Sequence, residues 1–238
     1  MSGLAIHGLS AGYGDIAVLH DVSFDVRIPG ITAVIGSNGA GKTTLLRALS
    51  GLLKPTSGSI RLNDVDLSGR APDGFVAARV AHVPEGRRLF AGMSVEDNLL
   101  MGAFTRKASK AEIAADLDAI YTLFPKLKER RRQDAVSMSG GEQQMCAIGR
   151  GVMAKPSVML IDELSLGLAP VVVDDLIAAL RTLAADGLGL LVVEQDIAVA
   201  FDLADHVVIM DRGHVAKSGP SDQLMADPAI QAAYLGEM

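Results

Sequence analysis

The first third of the chain alternates between apolar and polar positions with a period of two. Val22, Phe24, Val26 and Ile28 interleave with Ser23, Asp25 and Arg27, the pattern of a strand with one buried face. Pro29-Gly30 marks a turn. Ile31–Ile35 is a short, nearly all-apolar run of the kind buried on both faces in a parallel sheet. A glycine-rich loop and a helix from Thr43 to about Leu53, ended near Pro55, are predicted next. From about Val95 to Arg132 the period becomes helical. Ser94-x-x-Asp97 and Ser109-x-x-Glu112 resemble capping boxes. Ile113, Leu117, Ile120, Tyr121 and Phe124 then form an apolar stripe that is read as core in preference to a partner surface.

The last hundred residues alternate again: a helix after Gly141, a strand at Val158–Ile161, a helix at Val171–Ala185, a strand at Gly189–Val193, a helix at Ile197–Ala204 and a strand at Val207–Met210. Strands alternating with helices predict βαβ units around a parallel sheet, an α/β fold. With 238 residues, 49% of them hydrophobic and 21% charged, a folded domain or two closely joined lobes is expected. Apolar runs fall well short of the ~20 residues that cross a bilayer. Met1-Ser2-Gly3-Leu4 shows no basic region followed by a long apolar stretch, so a cytosolic location is expected. The single cysteine, Cys146, lies in the apolar stretch Met145–Ile148 and is read as a small buried residue. A net charge of −6 argues against a nucleic-acid surface. The one basic cluster, Lys126–Arg132, lacks the interleaved aromatics that stack on bases and is read as a solvated helix end or loop.

Two segments carry chemistry. Gly36-Ser37-Asn38-Gly39-Ala40-Gly41-Lys42-Thr43 matches G-x-x-x-x-G-K-[ST] in full, between a buried strand and a helix. The glycines let successive backbone N–H groups turn inward onto phosphate oxygens, and the helix that follows adds the positive end of its dipole. Together with Thr44 the segment is expected to bind ATP, with Lys42 on the β- and γ-phosphates and the Thr43 hydroxyl on Mg²⁺. The second segment is Asp162-Glu163, at the end of the apolar run Val158–Ile161. Two carboxylates there are costly unless they face a cation or water. Asp162 is placed to hold the Mg²⁺ shell, and Glu163 to act as general base on the attacking water.

Between these segments, Ser137-Met138-Ser139-Gly140-Gly141-Glu142-Gln143-Gln144 resembles the signature motif of ABC ATPases, with Met138 where Leu is usual. The resemblance covers essentially the whole chain. It implies a single cassette over residues 1–238: a phosphate-loop core, an antiparallel β edge, and a helical signature subdomain over roughly 94–150. It also implies that Ser139, Gly140 and Gly141 act in trans on the γ-phosphate of a second cassette, so two chains sandwich two ATP molecules. Tyr13, in Gly12-Tyr13-Gly14, matches the aromatic that stacks on adenine. Within the family the chain is similar to the ATP-binding subunits of branched-chain amino-acid importers. The segments that carry this are Val83–Phe90, Met138–Met145, Ser165–Pro170, Val193–Asp196 and the ending Ala233-Tyr234-Leu235-Gly236.

Three positions depart from the wider family. Glu85 stands where most members have a Gln near Mg²⁺, Gln195 where most have a His on the γ-phosphate, and Leu164 where Pro follows the carboxylates. The first two match the importer group. The implied partners are a second, identical or related cassette and integral membrane permease subunits, with the chain peripheral on the inner face of the cell membrane and no nucleic acid bound. Import of urea, amides or other amino acids is an alternative. A ribosomal or chromosomal ATPase is disfavoured by the single cassette and the lack of a heptad arm, and a non-hydrolysing sensor by the presence of Lys42 and Glu163.

Overall fold

The computed structural model describes residues 3–231. Met1, Ser2 and the ending Ala233–Gly236 lie outside the described residues. In chain order the elements are β1 (Gly3–Tyr13), β2 (Ile16–Arg27), β3 (Gly30–Ile35), α1 (Lys42–Leu49), β4 (Ser57–Leu62), β5 (Val65–Asp66), α2 (Pro72–Ala77) and β6 (Val80–Val83). Then come α3 (Val95–Met101), α4 (Lys110–Leu123), α5 (Pro125–Glu129), α6 (Gly140–Met153), β7 (Val158–Asp162), α7 (Pro170–Ala185), β8 (Gly189–Glu194), α8 (Ile197–Leu203), β9 (His206–Asp211), β10 (His214–Pro220), α9 (Ser221–Met225) and α10 (Pro228–Ile230).

Two sheets organise the molecule. A six-stranded sheet runs β10-β9-β3-β8-β7-β6, parallel except for the antiparallel edge strand β10. A four-stranded antiparallel sheet runs β2-β1-β4-β5. The pleat of the parallel strands explains how they build two cores at once. Val34, Leu160, Leu191, Val193 and Val208 face the antiparallel sheet and α1, packing with Leu4, Ile6, Val26, Leu45 and Leu49. Their sequence neighbours Ile35, Ile161, Leu190, Val192 and Ile209 face the other way, onto α6, α7 and α8 through Ile148, Leu176, Leu180 and Phe201. Successive side chains of a strand point to opposite faces, so a strand covered on both sides reads as a continuous apolar run.

The capping boxes read at Ser94 and Ser109 both form, with Asp97 and Glu112 as the reciprocal partners. In the stripe on α4, Ile120 and Tyr121 are buried with Phe124, while Ile113 and Leu117 pack partly buried against the same core. Cys146 is fully buried, which pushes its thiol up to about 12. Helix α1 ends at Leu49 rather than about Leu53, because Gly51 turns to a φ of 74° and only glycine adopts that conformation freely. Strands β4, β5, β6 and β10 and helix α2 show no apolar period that would announce them: β5 and β6 hold 2 and 4 residues, and no position of β10 is fully buried.

Candidate active site

The parallel strands β3, β7 and β8 are neighbours, and their carboxyl ends deliver the site residues to one edge of the sheet. This is where ligands collect in open α/β sheets. From β3 the chain enters the loop Gly36–Gly41. A Cβ at Gly36 would lie 2.3 Å from the Met210 carbonyl oxygen, so a side chain there has no room. Gly41 has φ 101° and caps α1 without any side-chain hydrogen bond. The first turn of α1 therefore keeps its backbone N–H groups unclaimed by a cap, as a phosphate site needs. The loop is held from outside: Gly213 N–H donates to the Ala40 carbonyl at 3.0 Å, and His20 N–H donates to the Gly213 carbonyl at 2.9 Å.

Lys42 is buried, and its ammonium donates to the carbonyls of Gly36 at 2.5 Å and Ser37 at 3.2 Å. Burial lowers its pKa, while Glu163, Asp162 and Glu194 pull it back up. One ammonium thus answers three carboxylates. Asp162, the last residue of β7, is 4% exposed. Burial, then the charges of Glu163 and Glu85, push its carboxyl up to about 6 against Lys42 and Arg47. Glu163 follows in the left-handed region at φ 56°. One of its oxygens accepts a hydrogen bond from the Gln195 amide, and the other, Oε2, is buried without a partner.

These observations fit a divalent cation. There is surplus negative charge around Asp162 from Glu163 and Glu85, and an exposed Thr43 in the first turn of α1. Among the described residues no group of three or more His, Cys, Asp or Glu is arranged to hold a metal alone. Mg²⁺ does not require such a cluster, since it is usually held by one or two protein oxygens together with substrate phosphates.

Tyr13, at the end of β1, is 42% exposed. Its hydroxyl accepts from Arg47 Nη1 at 2.9 Å, and the guanidinium carbon lies 5.9 Å from the ring centre. Glu85 lies exposed in the loop after β6. Ser139, Gly140 and Gly141 open α6, away from the phosphate loop of the same chain: the nearest side chains to a Cβ at Gly140 would be Arg87 and Leu168, and to one at Gly141, Val172. Ser139 caps the helix through its own box. Glu142 N–H donates to Ser139 Oγ at 3.4 Å, and Ser139 N–H and Oγ–H donate to Glu142 Oε2 at 3.0 and 2.9 Å. Arg130 Nε lies 2.8 Å from Glu142 Oε1. Burial pushes Glu142 up, but the Ser139 hydrogen bonds, Arg130 and Lys126 outweigh it and hold the carboxyl below its ordinary value.

One chain therefore gathers the phosphate loop, Asp162, Glu163, Gln195 and the charge of Glu85 at a single edge, and leaves the Ser139 segment elsewhere. Sequence reasoning passed over three residues beside these: Arg47, Arg130 and Glu194. Glu194 ends the apolar run of β8 as Asp162 ends that of β7, and this parallel was the available signal.

Residues 19–165 match the ABC transporter family model. A high-affinity branched-chain amino acid transport ATP-binding protein of Pseudomonas aeruginosa, BraG, is 42% identical over 98% of this chain and 99% of its own length. A probable branched-chain amino acid transport ATP-binding protein of Archaeoglobus fulgidus is 32% identical over 96% of both. Among solved structures, an ATP binding subunit of an ABC transporter superposes with a TM-score of 0.85 at 30% identity, covering 98% of this chain and 96% of that one.

Proposed function

The chain belongs to the ABC transporter family of ATP-hydrolysing cassettes, and we propose that it is the energy-coupling subunit of an importer for branched-chain amino acids. Near-full-length similarity to the Pseudomonas and Archaeoglobus proteins supports that substrate class. In this reading residues 1–238 form one cassette with a helical subdomain over roughly 94–150. The Gly36–Thr44 backbone and Lys42 bind the phosphates of ATP, and Tyr13, steadied by Arg47, stacks on adenine. Thr43, Asp162 and Glu85 hold Mg²⁺, which neutralises phosphate charge when bound. Ser139, Gly140 and Gly141 meet the γ-phosphate of a second cassette, identical or related.

The observation that carries the hydrolytic role is Glu163, with one carboxylate oxygen fixed by Gln195 and the other buried and free. The free oxygen is suited to take a proton from water attacking the γ-phosphate. Gln195 cannot take a proton, so its part is to orient Glu163 and to donate to phosphate.

None of the described helices is long and apolar enough to cross a membrane. Exposed Phe104, Phe90 and Met101 line a cleft of about 360 Å³ beside β6 and α6. Apolar surface of this kind supports docking on permease subunits at the inner face of the membrane.

The test is Glu163→Gln. The purified variant binds ATP as the parent does, and turnover falls ~10²–10⁴-fold, as removal of a general base requires. Cells carrying it lose leucine, isoleucine and valine uptake and keep uptake of unrelated amino acids. Normal phosphate release refutes the base, and undisturbed branched-chain uptake with failed hydrolysis refutes the substrate class.

A further inference from the structure

Glu194 is 2% exposed, and the reaction described above makes no use of it. Its carboxylate joins two loops. Ser165, two residues beyond Glu163, donates its backbone N–H to Oε1 at 2.8 Å and its hydroxyl to Oε2 at 3.0 Å. Oε2 also accepts the backbone N–H groups of Gln195 at 3.0 Å and Asp196 at 3.4 Å. Four donors from two segments make a buried negative charge tolerable.

The residue between these ties is strained. Glu163 sits at φ 56°, a conformation that is costly for a non-glycine residue and persists only where the surroundings over-determine it. On its N-terminal side Glu163 is fixed by its own N–H, which donates to the Val193 carbonyl at 3.0 Å. On its C-terminal side the fixing group is the Glu194 carboxylate on Ser165. The same carboxylate anchors the backbone of Gln195, whose side chain holds Glu163.

We propose that Glu194 is a positioning residue: its carboxylate ties Ser165 to the Gln195 loop and thereby keeps Glu163 in its left-handed conformation against Gln195. The proposal rests on Glu163 being the base. A glutamine in place of Glu194 cannot reproduce the clamp. Whichever way its amide is turned, an NH₂ group opposes at least one backbone N–H that now meets an oxygen.

Turnover and ATP affinity are measured for Glu194→Gln, Glu163→Gln and the double variant, with the melting temperature of each. Glu194→Gln is expected to lose ~10–100-fold in kcat, the scale set by displacing a reacting group by about 1 Å, with ATP affinity unchanged. Loss of charge acting through Lys42 would instead appear in ATP affinity, because the Glu194 charge reaches that ammonium. Adding Glu194→Gln to Glu163→Gln should leave the residual rate where it is, since a clamp that acts through Glu163 has nothing left to position. Should Glu194→Gln fail to fold, Ser165→Ala carries the same comparison with a smaller loss, having removed one of the four donors. Parental kcat in Glu194→Gln, beside an inactive Glu163→Gln, overturns the clamp and leaves the base standing. Equal fractional losses in the parent and Glu163→Gln backgrounds overturn it as well, because they mark a general structural role. Parental turnover in Glu163→Gln removes the base and the clamp together.

Discussion

Two helices of this chain begin with glycine and serine or threonine, and both starts suit an anion, yet they are finished differently. Helix α1 begins behind Gly41 with no side-chain cap, and buried Lys42 stands at its first position. Helix α6 begins behind Ser139 with a complete capping box, closed by Glu142 and backed by Arg130. The unfilled donors of α1 are kept open by geometry, through glycine dihedrals and the ties from Gly213 and His20. The donors of α6 are partly satisfied within its own chain until something displaces or complements Glu142. A site that holds a ligand on its own can remain uncapped, because the ligand is the cap. A site completed only on assembly is more stable alone if it carries its own cap.

The largest effect that would break this comparison is Lys42→Ala. ATP binding should weaken and hydrolysis should be abolished together, because Lys42 is the cation of the phosphate loop and faces charge in both ground and transition states. Calorimetric titration beside phosphate release measures both, and unchanged affinity with unchanged rate would remove α1 as the phosphate site.

Next in size is Ser139→Arg, which fills the start of α6 and should leave nucleotide binding by the single chain intact. In the Glu163→Gln background, ATP-Mg²⁺ should shift the chain from monomer to dimer in sedimentation, and Ser139→Arg should abolish that shift. The same variant removes a cap worth about 1 kcal/mol, so a small drop in melting temperature accompanies it. A mass distribution indifferent to ATP before the substitution leaves either pairing with a different cassette or no sandwich at all, and adding a partner cassette separates the two.

The smallest effect sharpens the comparison by touching neither helix start. His82 on β6 is held neutral by burial, down to about 4, and its Nε2 has no partner. Its folded value lies below the unfolded 6.5, so the unfolded chain binds the proton first. The stabilising contribution is complete above pH 6.5 and is lost as pH falls toward 4. His82→Leu should flatten that part of the melting-temperature profile and leave ATP affinity at neutral pH unchanged. An unaltered acid slope would assign the loss to other groups.

Legibility followed the range of the interaction. The phosphate loop, the acidic pair and the capping boxes at Ser94 and Ser109 were readable because each is built from residues within a few positions of one another. The third box, Ser139-x-x-Glu142, has the same spacing, but there a resemblance supplied the meaning first and the cap went unread. Arg130 was read as part of a solvated basic run. It is exposed, but its partner Glu142 lies twelve positions on, where no local rule points. Glu194 has no local signal beyond its place in the Val193–Asp196 segment, because the four donors that explain it come from the loop after β8 and from the loop after β7.

By itself the sequence determined the alternation of strands and helices, the burial of β3 and β7, and the glycine-rich turn between β3 and α1. Hydrophobic period and glycine conformation act over a handful of residues and are written directly in their order. Only the tertiary structure decided that Glu163 occupies a left-handed conformation against Gln195 and that one ammonium answers three carboxylates. Those outcomes depend on which strands lie side by side. The order β3-β8-β7 places residues some 30 positions apart in sequence within hydrogen-bond reach, and electrostatic coupling follows distance in space rather than along the chain.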